Sequence, residues 1–404
     1  MRRFGLGLLL LVLTGSAVAD SGWARYRLFI RDANEAQRVG DSSLGLFSED
    51  VIIGETDVIV GPNDAHELLR LQIPFTFVSV LPDPKGWDQG ATDAIDYRNQ
   101  YFRYGDIISQ YDEWRAQAPT RISREQIGTS WNNRPIYAYR MATQGRDPVT
   151  KSVVIICGIH AREWISPSVG MHIFERMKNI LTRPATLGAA QPGAPRLPKG
   201  TAFYFIPVLN PDGYEYSWTN NRYWRKNRRN NGNGTYGVDL NRNFSTGWGG
   251  TGSSSNPSSE TYRGPSAFSE PETNGFRNWL ATIPQLVGFI DFHSYGQYVL
   301  WPWAYISSLP PGDAWLRATG YAMRDAIQGV NGKTYTAGPS ATTLYISSGS
   351  SKDYTYDEFE AASYSIELRD EGQFGFVLPE NQITPTQNEA WAGYLKFAER
   401  VLVR

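Results

Sequence analysis

The hydrophobic pattern divides the chain in two. Near the start, YRLFI (26–30), VIIGETDVIVG (51–61) and FTFVSVL (75–81) read as strands, with helical stretches near Glu35 and over 62–71. Together they predict a small α+β unit. The polar, turn-forming segment DPKGWDQGATD (83–93) has no period and reads as a linker. Beyond it, IYAYRMA (136–142), SVVIICGI (152–159), AFYFIPVL (202–209), LVGFIDF (286–292) and YSIEL (364–368) are apolar runs suited to strands buried on both faces. Helical segments lie between several of them, among them SPSVGMHIFERMKNIL (166–181) and SEPETNGFRNWLATI (269–283). Strands alternating with helices predict an α/β domain with a mixed, mostly parallel central sheet flanked by helices. The segments 184–200 and 246–260 read as long surface loops.

Composition narrows the possibilities. The chain has 404 residues, enough for one large domain and a small one, and a net charge of −1. With 20% charged and 41% hydrophobic residues, neither disorder nor a polyanion-binding surface is expected, so nucleic acid is excluded as a partner. At the N-terminus, Arg2 and Arg3 precede an apolar stretch over 6–13, and Ala17 and Ala19 form a small-residue cleavage site. This predicts a secretory signal over 1–19 and an extracellular or periplasmic protein with no membrane attachment after cleavage. The stretch is well short of the roughly 20 residues that span a bilayer. The one cysteine, Cys157, falls inside a predicted strand and reads as a core residue, so the exported chain has no internal disulfide.

Candidate chemistry collects at strand ends. His160 follows one apolar run, Asn210 another, His293 a third and Glu367 a fourth, and that edge of an open α/β sheet is where ligands bind. The run VVIICGIHAREW (153–164) places His160 and Glu163 three residues apart; a lone H-x-x-E is weak evidence by itself. The chain has four histidines. His66 belongs to the N-terminal unit, and His172 sits in an amphipathic helical run and reads as an ordinary helix residue. His160 and His293 remain, and with Glu163 they suffice for a catalytic zinc site, in which three protein ligands leave a position for water. Each ligand histidine needs a partner to hold its tautomer; Asp239 is a candidate.

HAREW, NPDGYEYSW, NRYWRKNRR, GVDLNRNF, FHSY, TTLYISSGSSKDY and ELRD occur in the order and approximate spacing of the secreted zinc metallocarboxypeptidases similar to the pancreatic A and B enzymes. The chain resembles that family over 97–404. The resemblance implies one Zn2+, held by His160, Glu163 and His293, with Asp239 orienting His160. It makes Glu367 the general base and Arg228 the donor to the developing oxyanion. Asn241 and Arg242 become the clamp for a free α-carboxylate, Tyr345 the residue closing over substrate, and Arg162 a wall of the next subsite. Arg225 and Lys226 read as solvated loop residues. The implied partners are peptide or protein C-termini, and a monomer is expected. The implied division is a signal (1–19), a small inhibitory pro-segment (20–90) and a catalytic domain (91–404).

Some positions depart from the family. Seven residues beyond Tyr345, at the base of the pocket for the C-terminal side chain, stands Lys352, which favours substrates ending in Glu or Asp. By alignment Asp291 lines the same pocket; pairing with Lys352 would leave it neutral and open to apolar or varied side chains. The small residues from Ser347 to Ser351 suit a mobile loop. Thr235 and Ser258 stand where pancreatic members have a cysteine pair. An amidase or peptidoglycan hydrolase of the same fold remains an alternative.

Overall fold

The structure is a computed structural model that describes residues 22–47, 51–62, 64–81, 96–142, 148–182 and 199–403. The expected signal, the 83–93 linker and most of the 184–200 loop lie outside the described residues. The chain falls into two compact units, Met1–Val39 with Ser43–Asp83, and Gly40–Ser42 with Pro84–Arg404.

In the first unit, β1 (Ala24–Ile30) lies between β3 (Gly54–Val60) and β4 (Phe75–Val80), antiparallel to both, and β2 (Gly45–Leu46) pairs with β3. Helices α1 (Ala33–Gly40) and α2 (Ala65–Arg70) complete it. Alternate residues Tyr26, Leu28 and Ile30 of β1, with Val58 and Val60 of β3, face a core closed by Val39 and Leu68 of the helices.

The second unit holds α3 (Tyr104–Gln117), β5 (Ile122–Thr129), β6 (Pro135–Ala142), β7 (Lys151–Ile156), α4 (Ile165–Thr182), β8 (Thr201–Ile206) and α5 (Pro211–Thr219). There follow α6 (Pro271–Leu280), β9 (Leu286–Ser294), β10 (Tyr298–Trp301), α7 (Asp313–Asn331), β11 (Thr336–Pro339), α8 (Ser340–Thr343), α9 (Ser351–Phe359), β12 (Ala362–Leu368) and α10 (Ile383–Val401). The eight-stranded sheet runs β11-β10-β12-β9-β7-β8-β6-β5. Its middle strands β12, β9, β7 and β8 are parallel, while β5, β6 and the β10–β12 pair are antiparallel. This is the mixed, mostly parallel sheet that the sequence predicts.

The unbroken apolar runs have a simple cause. On β7, Val153 and Ile155 enter one core while Val154 and Ile156 enter another; on β8, Phe203 and Phe205 oppose Ala202, Tyr204 and Ile206 in the same way. A strand covered on both faces has no polar side to show. β7 and β8 end earlier than their apolar runs suggest, at Ile156 and Ile206. Gly158, at φ +62°, turns the chain out of β7, and Pro207 has no N–H to continue β8. Cys157 is buried, its Sγ 2.7 Å from where a Cβ on Gly170 would sit, and burial pushes its thiol up. It is a packing residue. Among the described residues no helix is long and apolar enough to cross a membrane.

Candidate active site

The loop after β7 is pinned before it presents any chemistry. Ser166 Oγ donates to Phe292 O on β9 (2.6 Å) and accepts from Gly158 N (3.1 Å), tying the start of α4 to the neighbouring strand. Asn210, flagged in the sequence for its place after β8, is a brace: its Nδ2 donates to Ile159 O and Lys226 O (3.1 Å each), and its Oδ1 accepts from Gly213 N (3.0 Å) to cap α5.

His160, Glu163 and His293 are thereby brought together, all buried, with one ligand atom from each lying within 4.8 Å of the others. His160 Nδ1 is 2.8 Å from Glu163 Oε1, His293 Nδ1 is 3.1 Å from Glu163 Oε2, and the two Nδ1 atoms are 3.2 Å apart. The outer nitrogens face carboxylates as well: His160 Nε2 lies 3.1 Å from Asp239 Oδ1, and His293 Nε2 lies 2.9 Å from Asp291 Oδ2. A neutral imidazole carries one N–H. With each Nε2–H given to its carboxylate, two Nδ1 lone pairs and the Glu163 carboxylate converge with no proton among them. That is a donor set for a cation. Ligands of a tetrahedral zinc at bonds of ~2.0–2.1 Å stand ~3.3 Å apart, close to these separations. The residues fit zinc.

The charges agree. Burial opposes ionisation of Glu163, but the two histidines hold its carboxyl well below the usual range. Burial likewise opposes a charged His293, yet Asp291 and Glu163 outweigh it and push the ring well above the ordinary value. Asp239 is buried too, but Arg225, then Arg242 and His160, keep it strongly acidic. His172 lies inside α4, is pushed down to about 3 by burial and then by nearby arginines, and takes no part in the cluster.

Glu367 on β12 stands in register with His293 on the adjacent parallel strand and is buried. Arg369 bonds Glu389 Oε2 (2.8 Å) and Gln382 Oε1 (2.6 Å). Asn241 and Arg242 form a short 3-10 turn begun by Asp239, whose Oδ1 accepts from Asn241 N (2.9 Å). The Arg242 guanidinium is steered by Gly252 O (2.7 Å) and Asn241 O (3.0 Å). Gly252 and Gly349 flank this arginine with positive φ; a Cβ there would lie 1.9 Å from Ile346 O and 2.4 Å from Arg242 O, so only glycine fits. Arg162 is fully buried, over the Phe376 ring at 3.9 Å and 3.8 Å from Glu260 Oε2. Tyr345 is half-buried in the segment after α8.

The Arg228 guanidinium stacks on Tyr216 (3.6 Å), Trp224 (4.4 Å) and Tyr236 (4.8 Å). Several expectations need correction. Arg225, read as solvated, is buried and donates through Nε (3.1 Å) and Nη2 (3.0 Å) to Asp239 Oδ2, one residue from the cluster. Its carbonyl accepts from Ala161 N (3.0 Å). Lys226 is also buried, its Nζ donating to Pro257 O (3.2 Å) and Ser259 O (2.8 Å). The small residues 347–351 are tied down in this structure: Ser348 Oγ donates to Thr251 O (2.8 Å), Ser350 caps α9 and Ser351 Oγ donates to Asp291 Oδ2 (2.6 Å). Asp291 makes no ion pair with Lys352, whose nearest carboxylate is Asp353 Oδ1 at 3.9 Å. Thr235 and Ser258 lie in segments tied by hydrogen bonds, Asn231 N to Thr235 O (3.1 Å) and Ser258 N to Asn256 Oδ1 (3.0 Å).

Fold and site together define a metallohydrolase. The zinc carboxypeptidase family matches residues 107–393, and the chain belongs to that family. It is 37% identical to carboxypeptidase B of Canis lupus familiaris over 75% of this chain and 71% of that one. It is 35% identical to mast cell carboxypeptidase A of Rattus norvegicus over 77% and 74%. The crystal structure of thrombin activatable fibrinolysis inhibitor superposes with a TM-score of 0.80 at 29% identity, covering 95% of this chain and all of that one. The protein is a metallocarboxypeptidase, a zinc-dependent hydrolase acting on peptide C-termini. Relatives named A and B match almost equally, so overall similarity leaves side-chain preference to the pocket.

Proposed function

We propose that this enzyme removes acidic residues from the C-termini of peptides, with His160, Glu163 and His293 as its zinc ligands. One observation supports the preference above others: the Lys352 ammonium, buried in the catalytic unit, makes no hydrogen bond among the described residues. Burial lowers its pKa, against the pull of Asp353 and Asp291. Asp353 at 3.9 Å is beyond hydrogen-bond range and gives its Oδ2 to Ala304 N (2.8 Å) and Tyr305 N (3.1 Å). Asp291 is occupied by His293 and Ser351. A substrate carboxylate would supply the close partner that Lys352 lacks.

Zinc in this site supplies a Lewis acid and brings the pKa of a bound water to about 7. Asp239 holds the His160 ring by Nε2. Glu367 accepts a proton from the attacking water and returns it to the leaving amine, a double role suited to a buried carboxylate beside His293. Arg228, as the resemblance implies, stabilises negative charge on the scissile carbonyl oxygen, while Arg225, whose Nε and Nη2 both meet Asp239, holds that carboxylate in place. Asn241 Oδ1 accepts from Ser351 N (2.9 Å), which turns Nδ2 toward His293 Nε2 at 3.2 Å. With Nε2–H donated to Asp291, two donors face each other there, so Nδ2 has a hydrogen to offer the substrate's terminal carboxylate beside Arg242. Tyr345 covers the bound residue and Arg162 borders the next subsite inward. The clamp favours a carboxypeptidase over an amidase or peptidoglycan hydrolase, and an N-terminal signal over 1–19 would export the protein.

The test is kcat/KM for peptides alike except for a terminal Glu, Phe or Arg. Glu should lead, and Lys352→Asp should cut its rate constant roughly 10- to 100-fold, the worth of a charge-assisted hydrogen bond, while raising that for Arg. Faster turnover of Phe or Arg by the unmodified enzyme refutes acidic preference.

A further inference from the structure

The zinc-ligand reading above leaves Asp291 with a different task from the pocket role its position suggests. It is fully buried on β9, two residues before His293, so both side chains leave the same side of the strand. Its Oδ2 meets His293 Nε2 at 2.9 Å and accepts from Ser351 Oγ at 2.6 Å, while its Oδ1 has no hydrogen-bond partner among the described residues. A buried carboxylate with one bare oxygen is costly unless its charge is balanced nearby. Lys352 does not balance it with an ion pair. The charge beside it is the His293 imidazole and whatever cation that ring binds.

We propose that Asp291 is a positioning residue for zinc, holding the His293 ring by Nε2–H so that Nδ1 stays aimed at the ion. It makes the site symmetrical: Asp239 does the same for His160 at 3.1 Å. An imidazole that donates to a carboxylate is fixed in tautomer and made a stronger ligand. Asp291 also joins the metal to the substrate-binding helix. Ser351, which opens α9 next to Lys352, bonds Asp291 through its hydroxyl and Asn241 Oδ1 through its N–H, and Asn241 Nδ2 closes on His293. Metal ligand, carboxylate clamp and specificity helix are therefore linked by one chain of hydrogen bonds, from His293 through Asp291 and Ser351 to Asn241.

The experiment measures release of zinc from the purified full chain into excess chelator, for the unmodified protein, Asp291→Asn and Ser351→Ala. Asp291→Asn keeps the shape and removes the charge; zinc should leave ~10- to 100-fold faster. Ser351→Ala keeps the charge and loses one hydrogen bond to it, so a smaller acceleration, roughly 2- to 5-fold, is expected. The thermal midpoint of zinc-free Asp291→Asn should be no lower than that of the zinc-free parent, while the rise on adding zinc shrinks, which a merely structural role would not produce. With Co2+ in place of zinc, the visible spectrum of Asp291→Asn should shift. Release within twofold of the parent's rate overturns the proposal, and if Asp291→Asn does not fold, unchanged release from Ser351→Ala overturns it. A parent chain that retains no zinc overturns the ligand assignment itself, an outcome distinct from a parent that holds one zinc as firmly as its variant does.

Discussion

The two arginines of the NRYWRKNRR loop show what a residue's surroundings decide and its sequence does not. Arg225 and Arg228 stand three apart in one basic stretch, yet one is buried on Asp239 and the other lies across three aromatic rings. If Arg228 stabilises the developing oxyanion, as the resemblance implies, Arg228→Ala should lower kcat about 100-fold or more, some 3 kcal/mol of barrier, with a much smaller change in KM. Arg225→Ala should instead weaken zinc retention, because it strips Asp239, which holds His160, of its buried partner. Equal losses of kcat in the two variants at full zinc occupancy, measured by steady-state kinetics on one peptide, would reject this division of roles. The metal ligands were legible beforehand because histidine is scarce in this chain and strand ends are informative. Arg225 was not, since a basic run carries no mark of which member meets a buried carboxylate. Nor was Asp291, whose place near a pocket looked sufficient until its hydrogen bonds to His293 and Ser351 were seen.

At the scale of elements, the middle of the sheet was plain from apolar runs, because strands covered on both faces can show nothing polar. Antiparallel edges were harder: β5, ISREQIGT, has mostly exposed positions, and β10 and β11 are four residues each. The small residues 347–351 were ambiguous by composition, since such residues suit both a loose loop and a tight packed cap. Helix α6 carries a testable consequence of such burial. Glu272, in its first turn, accepts from Trp131 N (3.1 Å) and Asn227 Nδ2 (3.1 Å) beside Glu270, whose carboxylate also takes Asn227 Nδ2 (2.8 Å) and Arg229 (2.8 Å). Burial first, and Glu270 second, push Glu272 up to about 8 from an ordinary 4.5. The folded protein thus binds this proton more tightly than the unfolded chain. Its contribution is complete below about pH 4.5 and is lost as pH rises through about 8. Over that window the thermal midpoint of the parent should fall relative to Glu272→Gln in the same metal state; parallel curves would show that the proton is not there.

On the scale of the whole molecule, the question is what the N-terminal unit does to the catalytic one. Each has its own core: Leu28, Val58 and Leu68 in the first, and the two faces of the eight-stranded sheet in the second. A unit with a separate core can be removed without opening the other. The sequence places the junction within 83–93, a polar stretch of the kind that proteases cut. If the N-terminal unit is an inhibitory pro-segment, as the resemblance implies, the intact chain is latent and limited proteolysis releases an active enzyme beginning near residue 91. The trimmed protein should keep its thermal midpoint and its zinc while kcat/KM on a small peptide rises at least tenfold over the intact chain (~1.4 kcal/mol). Zinc content measured on both forms separates blocked access from an unformed site, since a blocked enzyme holds its metal throughout. Equal activity of intact and trimmed chains would mean that the N-terminal unit serves folding or export and that the enzyme is active as synthesised.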